Sequence, residues 1–293
     1  MKTIPDLETH LFELIRRAST KLPADVTGAL EAGQAREAAG SAAATTLATI
    51  LENVELSAKA ATPICQDTGT PVFYVKHPWD YPVRPIREAA LAAVRRATKE
   101  SLLRPNAVDS VTGANSNDNT GDTFPSFYFE QWEEPDALRF DLLLKGGGSE
   151  NQSAQYSLPH GALKAGRDME GVKRVILDAL VNAQGQGCGP AVLGVCIGGD
   201  RATSYSLAKK QHLRPLADKS SDPVLASMEE EITQKANALG VGPMGFGGET
   251  TVLATKITKA HRLPASFYVS ISYLCWASRQ AGMSVKGGRV AHD

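Results

Sequence analysis

Glycine-rich segments stand at the ends of several apolar runs in this chain, and they limit the folds that it can adopt. Three such segments are residues 145–151, 185–190 and 240–248. Glycine and small polar residues favour turns, whereas the apolar runs beside them are typical of short strands. With 42% hydrophobic and 22% charged residues, the chain is typical of globular proteins, and a coiled coil or a collagen-like fibre is excluded. We expect a site assembled from several loops on a scaffold of strands and helices.

The charge and the apolar runs of the chain argue against two classes of partner, namely nucleic acids and membranes. Among the 293 residues, 31 are Lys or Arg and 32 are Asp or Glu, which leaves a net charge of -1. Without a basic surplus, electrostatic binding to a nucleic-acid backbone is not expected. No run approaches the roughly 18 consecutive apolar residues of a membrane span, and residues 1–25 lack the order of a secretory signal. We therefore expect a cytoplasmic enzyme that binds neither nucleic acid nor a membrane.

Periodicity predicts an α+β fold, with a helical N-terminal segment followed by mixed strands and helices. Residues 5–61 are predicted to be helical because Leu7, Leu11, Leu14 and Ile15 recur at helical spacing. The other predicted elements are helices at 84–99 and 223–239, strands at 72–75, 126–132, 138–144, 191–197, 251–257 and 266–274, and a polar loop at 112–122. No regular alternation of strands and helices is present, which favours the α+β class.

The four cysteines are widely spaced, and three of them lie where a loop meets a regular element. These three are Cys65, Cys188 and Cys275. Cys196 differs because it lies inside the apolar run 191–197, which is typical of a packed core thiol. No CxxC pair exists, so neither a compact zinc knuckle nor a disulfide-stapled scaffold is expected. Spacing alone leaves two interpretations open, namely buried core cysteines or metal ligands presented by loops.

Residues 146–148 are three consecutive glycines, and they admit two interpretations. Their backbone N–H groups are unobstructed, which suits an anionic ligand, but a flexible turn explains the same residues. No Gly-Lys-Ser/Thr follows, and the glycines are not spaced as in a dinucleotide-binding turn. A nucleotide- or phosphate-binding module is therefore the weaker alternative.

Taken together, the loops resemble those of the class I, iron–sulfur-dependent fumarases and tartrate dehydratases. The resemblance rests on residues 64–69, 145–151, 198–199 and 242–251 and on His261 ahead of Cys275, in that order along the chain. It implies an α subunit of that family with a [4Fe-4S] cluster held by Cys65, Cys188 and Cys275. One iron of the cluster would carry no cysteine and would act as a Lewis acid on the substrate.

The resemblance also implies roles for individual side chains. Asp67 would be the general acid that protonates the departing hydroxyl, and His261 would orient that carboxyl or the substrate. The implied substrate-binding residues are Gln66, Arg104, Asn119, Gly146, Gly147, Gly148 and Ser149. Structural alternatives remain open, namely an Asx-turn at Asp67, a solvated Arg104 and an ordinary surface histidine at position 261.

The architecture implied by the resemblance is one cluster-binding domain over residues 1–293, whose cluster-binding loops converge at one edge. Residues 1–61 would form a helical scaffold segment, and residues 62–280 would form the family core. Single-chain members of the family continue into a second domain that carries the catalytic base. We therefore expect that domain on a separate β polypeptide, in an α2β2 heterotetramer.

The implied activity is the reversible hydration of fumarate to (S)-malate, a reaction of the tricarboxylic acid cycle. The strings at 148–151 and 247–251 resemble fumarases more than tartrate dehydratases. The alternatives are an L(+)-tartrate dehydratase α subunit, which converts tartrate to oxaloacetate, and a hydratase of a related small dicarboxylate. A non-catalytic metal-binding protein is an alternative of another class, but it explains the cysteines without explaining Asp67, Arg104 or the glycine-rich loops.

Overall fold

The computed structural model describes residues 4–293, which fold into two compact units. Unit 1 comprises the described part of Met1–Pro23 together with Asn53–Gly146 and Arg279–Asp293, and unit 2 comprises Ala24–Glu52 and Gly147–Ser278. Each unit contains a β-sheet and a hydrophobic core of its own. Neither unit is one continuous segment, because the chain passes from one to the other more than once.

The helices and strands follow one another in a mixed order. They are α1 (Leu7–Thr20), α2 (Ala24–Arg36), α3 (Ala42–Ala60), β1 (Thr70–His77), α4 (Val83–Lys99), β2 (Ser126–Gln131), β3 (Ala137–Lys145), α5 (Gly147–Asn151), β4 (Ala154–Ser157), α6 (Met169–Ala183), β5 (Ala191–Gly198), α7 (Arg201–Lys210), α8 (Pro223–Asn237), β6 (Val252–Ala260), β7 (Tyr268–Leu274), β8 (Gln280–Lys286) and β9 (Arg289–His292).

Unit 1 is built on a five-stranded mixed sheet in the order β2-β1-β3-β8-β9. β1 and β2 are parallel, and the other neighbouring strands are antiparallel. Apolar residues alternate along the strands, so Phe73 and Val75 face the same core as Phe140 and Leu142. Helices α1 and α4 pack against each other and share this core, where the leucines of α1 are buried.

Unit 2 is built on a four-stranded mixed sheet in the order β4-β7-β5-β6. β5 and β6 are parallel, whereas β7 is antiparallel to both of its neighbours, β4 and β5. All eight residues of β5 are buried, as expected for a central strand that is covered on both faces. α6 and α8 contribute to the core of this unit, and α7 packs on β5 and β7.

The structure confirms the predicted α+β class and most of the predicted elements. α1, α2 and α3 lie within the predicted helical segment 5–61, and the polar segment 112–122 contains neither a helix nor a strand. The prediction of a loop at 146–151 is wrong over residues 147–151, which form the short helix α5. Helix propensity did not predict α5, because two of its five residues are glycines, which are poor helix formers. Helices α6 and α7 were not predicted from the sequence.

Two further predictions concern the chain as a whole. Among residues 4–293, no helix is both long and apolar enough to cross a membrane. The single domain over 1–293, with a scaffold at 1–61 and a family core at 62–280, stays a prediction.

Candidate active site

In unit 1, several predicted site residues come together at one end of the five-stranded sheet. β1 begins at this end, and because β3 is antiparallel to β1, β3 ends here and β8 begins here. The loop 65–69 precedes β1, Gly146 follows β3, and Arg279 directly precedes β8. Strand register therefore brings Asp67, Gly146 and Arg279 to the same edge.

Gly146 shows how closely these segments pack. A Cβ atom on Gly146 would lie 2.9 Å from Oδ2 of Asp67 and 3.5 Å from Nη2 of Arg279. The carboxylate and the guanidinium thus flank one backbone position, and a side chain at that position would displace the carboxylate. Arg279 is 1% exposed, and its Nε has no hydrogen-bond partner among residues 4–293. Asp67 is exposed, so its carboxyl is accessible to a ligand while a buried cation lies beside it.

A network of hydrogen bonds fixes the backbone around Arg104. Thr68 Oγ1 accepts from Arg104 N and from Asn106 Nδ2, both at 3.0 Å. Asn119 accepts from Asn106 N at 2.6 Å, and its Nδ2 donates to Arg104 O at 2.6 Å and to Thr98 Oγ1 at 3.0 Å. Asn119 is 1% exposed, and both N–H groups of its amide donate hydrogen bonds. Asn119 therefore holds the backbone of Arg104, and its role in binding a substrate stays a prediction.

The remaining predicted residues at this end of unit 1 are accessible. Gln66 and Arg104 are exposed, and Cys65 is half-buried. Arg104 Nη1 donates to the backbone O of Gln66 at 3.4 Å, which holds the guanidinium beside the loop that carries Cys65. A cation, a thiol and the Asp67 carboxyl thus share one short stretch of surface in unit 1.

In unit 2, two predicted metal ligands meet at one end of the four-stranded sheet. Cys188 lies in the turn before β5, and Cys275 follows β7, which is antiparallel to β5. The backbone O of Cys188 accepts from Trp276 N at 3.1 Å, so the main chain holds the two cysteines near each other. Both are half-buried, and Cys188 has a left-handed backbone with φ of 54°. Such a conformation is uncommon for a residue other than glycine and is often found at functional sites.

A second glycine-rich loop packs against the turn 185–190. Met244 N donates to Gly189 O at 3.0 Å. The other side of this loop is held by Glu37, whose buried carboxylate accepts from Thr250 N at 2.8 Å. Contacts on both sides therefore fix the loop that supports the cysteine-bearing turn.

The predicted substrate-binding residues of unit 2 lie in α5. Gly147 and Gly148 are exposed, whereas Ser149 is 3% exposed. Ser153, just beyond α5, accepts a hydrogen bond through Oγ from Tyr273 N at 3.0 Å. α5 therefore lies at the same end of the sheet as Cys188 and Cys275.

His261 lies at the other end of that sheet. It follows the last residue of β6, which is parallel to β5 and nine residues long. At about 3.3 Å per residue, β6 separates His261 from the end that carries Cys188 by roughly 25–30 Å. His261 is exposed. The structure does not bring it to Cys188 and Cys275, and its role stays a prediction.

Cys196 is confirmed as a buried core residue. It lies within β5 and is 0% exposed. Burial raises the pKa of its thiol to about 11, so the sulfur remains protonated at neutral pH. A protonated core thiol is a poor metal ligand, because it is the thiolate that binds metals.

Comparison with known proteins identifies the family. A sequence profile described as fumarate hydratase (fumerase) matches residues 8–284. The chain belongs to the fumarate hydratase family. Its α+β fold and glycine-rich loops are thus those of a family member.

Relatives in the fumarate hydratase family differ in length. A putative fumarate hydratase class I of Geobacillus stearothermophilus is 49% identical over 282 residues, which are 95% of this chain and 55% of the relative. A putative L(+)-tartrate dehydratase subunit alpha of Methanocaldococcus jannaschii is 36% identical, over 94% of this chain and 95% of the relative. An L(+)-tartrate dehydratase subunit alpha of Escherichia coli is 29% identical, over 91% and 86%. The chain thus spans about half the length of the Geobacillus relative.

The cysteines of this fumarate hydratase family member fit an iron–sulfur cluster in their donor chemistry. Within the part of the chain that the structure describes, no group of three or more His, Cys, Asp or Glu side chains could hold a single metal ion. A [4Fe-4S] cluster takes one thiolate for each ligated iron, so its cysteines need not meet at one ion. The half-buried thiols at loop positions are donors of the kind that such a cluster binds, and a main-chain hydrogen bond from Trp276 N to Cys188 O holds two of them near each other.

Sequence reasoning overlooked two buried cations of unit 1. Lys145, the last residue of β3, is 2% exposed, and Arg279, which directly precedes β8, is 1% exposed. A charged residue at the boundary of a buried strand is the signal that would have found them, because a buried charge requires a partner. Their position beside the loop 65–69 makes them part of the candidate site.

Proposed function

We propose that this chain is the α subunit of a [4Fe-4S]-dependent hydro-lyase that reversibly hydrates fumarate to (S)-malate. The observation that carries the proposal is the 49% identity, over 95% of the chain, to the Geobacillus relative named as a putative fumarate hydratase. The two tartrate dehydratase α subunits are less similar, at 36% and 29%. Dehydration of tartrate to oxaloacetate is the second candidate, favoured by the near full-length match to those subunits.

Three cysteines would hold the cluster, namely Cys65, Cys188 and Cys275. When bound, its iron without a cysteine would supply a Lewis acid for a carboxylate and a hydroxyl of the substrate. The partial exposure of the three cysteines supports this assignment, because the substrate must reach the metal. Cys196 takes no part, since it is buried and protonated.

The chain's own residues bind the dicarboxylate and move one proton. The exposed guanidinium of Arg104 suits a carboxylate, because it can donate two parallel hydrogen bonds. Gln66 and the backbone N–H groups of Gly147 and Gly148 add neutral donors. In dehydration, the carboxyl of Asp67 gives its proton to the departing hydroxyl; in hydration, its carboxylate takes a proton from the attacking water.

The proton on the neighbouring carbon needs a base, which we assign to a separate β polypeptide in an α2β2 assembly. Two relatives that match over most of their length are named as α subunits, and the Geobacillus relative is almost twice as long as the matched segment. Both facts support a partner that completes the enzyme. We assign the assembly to the cytoplasm, where reducing conditions keep the cysteine thiols available, and to the tricarboxylic acid cycle.

Iron and acid-labile sulfide analysis of the anaerobically reconstituted chain tests this function, together with EPR of the reduced sample. We expect about four irons and four sulfides per chain, and an EPR signal that shifts with fumarate or malate more than with tartrate. Zinc in place of iron, or a cluster indifferent to dicarboxylates, would contradict the proposal. Robust hydration by this chain alone would refute the separate β polypeptide.

A further inference from the structure

The turn that carries Cys188 is shaped around the ring of Tyr273. A Cβ atom on Gly187 would overlap Cε1 and Cζ of that ring and would lie 2.8 Å from the hydroxyl oxygen. A Cβ on Gly189 would lie 3.4 Å from the same oxygen. The hydroxyl group therefore lies against both chain neighbours of Cys188, and position 187 requires glycine because a side chain there would occupy the space of the ring.

Tyr273 is associated with the second cysteine of unit 2 as well. Tyr273 lies near the end of β7, two residues before Cys275 in the chain. Tyr273 is 3% exposed. A phenol carries its proton at neutral pH and can donate it in a hydrogen bond.

We propose that the Tyr273 hydroxyl donates a hydrogen bond to the sulfur of Cys188 and thereby sets the reduction potential of the bound cluster. The inference rests on the proposed function, since it concerns a ligand of that cluster. A hydrogen bond to a cluster sulfur stabilises the more negative, reduced state, and is one of the means by which a protein adjusts this potential. Tyr273 is a positioning residue, because it acts through the sulfur and not on the substrate.

Tyr273→Phe isolates the hydroxyl, because the ring that packs on Gly187 is retained. A hydrogen bond to a charged acceptor contributes enough to change an equilibrium constant about tenfold. For a one-electron couple, we expect the midpoint potential of the reconstituted full chain to become about 59 mV more negative. The matched control is Tyr156→Phe in the same unit, whose hydroxyl donates to Asp178 Oδ2 at 2.7 Å. In that variant the potential should equal that of the wild type.

Replacement of Tyr273 by 3-fluorotyrosine gives a measurement that does not depend on the folding of the phenylalanine variant. The more acidic phenol is a stronger donor, so the potential should move in the opposite direction, to a less negative value. An unchanged potential in both substituted chains, each holding a full cluster, would overturn the inference and leave the proposed function intact. A wild-type chain that binds no iron and sulfide would overturn both.

Discussion

The two units hold their chemically important residues by different means. In unit 1, side-chain hydrogen bonds from Thr68 and Asn119 fix the backbone of Arg104, and Asp67 lies beside a buried guanidinium. In unit 2, close packing and main-chain contacts fix the cysteine-bearing turn, as Gly187 shows. A carboxyl that transfers a proton can be held by polar contacts that adjust, whereas metal-ligating sulfurs need a fixed shape. Substitutions should therefore reduce activity without unfolding unit 1, but should affect both cluster and stability in unit 2.

The largest expected effect is the loss of the cluster when a ligand of unit 2 is removed. Cys188→Ser replaces a thiolate with a weakly coordinating hydroxyl, so we expect little bound iron and an activity loss well beyond the ~100-fold typical of outer-shell changes. Cys196→Ser is the matched control, because that thiol is buried and protonated. Iron and sulfide analysis after anaerobic reconstitution measures both. A cluster that survives Cys188→Ser but not Cys196→Ser would contradict the assignment.

The next effect separates catalysis from metal binding in unit 1. Asp67→Asn removes the proposed proton donor, and we expect the turnover of the assembled enzyme to fall about 10²–10⁴-fold with full iron content. Asp80→Asn, at an exposed position of the same unit, should leave both turnover and iron content unchanged. The steady-state rate and the iron content are measured on the same preparations. Loss of the cluster from Asp67→Asn would show that the two functions are not separable here.

Two glycine substitutions compare the units directly. Gly187→Ala forces a methyl group into the rigid ring of Tyr273, and we expect the free energy of unfolding to fall by about 1–3 kcal/mol. Gly146→Ala meets only the ends of the Asp67 and Arg279 side chains, which can move. Its stability should change by less than about 1 kcal/mol, while turnover falls because the carboxyl is displaced. Denaturant titration measures the free energies of unfolding, and a hydration assay measures turnover. Equal destabilisation by the two substitutions would contradict the expected difference between the units.

The smallest expected effect is a pH-dependent contribution to the stability of unit 1. Hydrogen bonds from Arg16 at 2.7 Å and from Arg17 at 2.9 Å lower the pKa of Glu13 from 4.5 to about 2. Because the folded-state pKa lies below the unfolded value, this stabilisation is present above about pH 4.5 and is lost as the pH falls toward 2. It should be under about 1 kcal/mol, since the pair is partly exposed.

Glu13→Gln tests this contribution by flattening the dependence of the unfolding free energy on pH between about 4.5 and 2. Glu8→Gln, an exposed glutamate of the same helix, is the control and should leave the curve unchanged. A curve for Glu13→Gln that matches the wild type would show that solvent screens the Glu13 pair completely.

Local turn chemistry explains why the sequence predicted where the cysteines lie. Glycine and small polar residues beside apolar runs mark Cys188 and Cys275 as loop residues, and β5 as the core strand that contains Cys196. These features depend only on neighbours in the chain. The roles of the site residues in chemistry remain predictions.

Whether a polar side chain is buried or bonded to another residue depends on contacts between residues far apart in the chain. The sequence does not reveal these contacts. Asn119 stands in a polar loop, yet its amide bonds to Arg104, 15 residues away, and the fold alone brings them together. Arg279 is likewise buried at the point where β8 begins to pair with β3. α5 shows the same limit, since a five-residue helix with two glycines depends on tertiary packing for its stability.

The order of strands in unit 1 determines when each unit can be completed during synthesis. β8, at Gln280–Lys286, pairs with β3, whose last residue is Lys145. One edge of β3 therefore stays unpaired until the late strand emerges from the ribosome, and an open edge invites aggregation. Unit 2 is complete once Ser278 has been made. The edge of β3 therefore stays open while nearly all of Gly147–Ser278 is synthesised, and a chaperone that shields this edge in the interval would favour correct assembly.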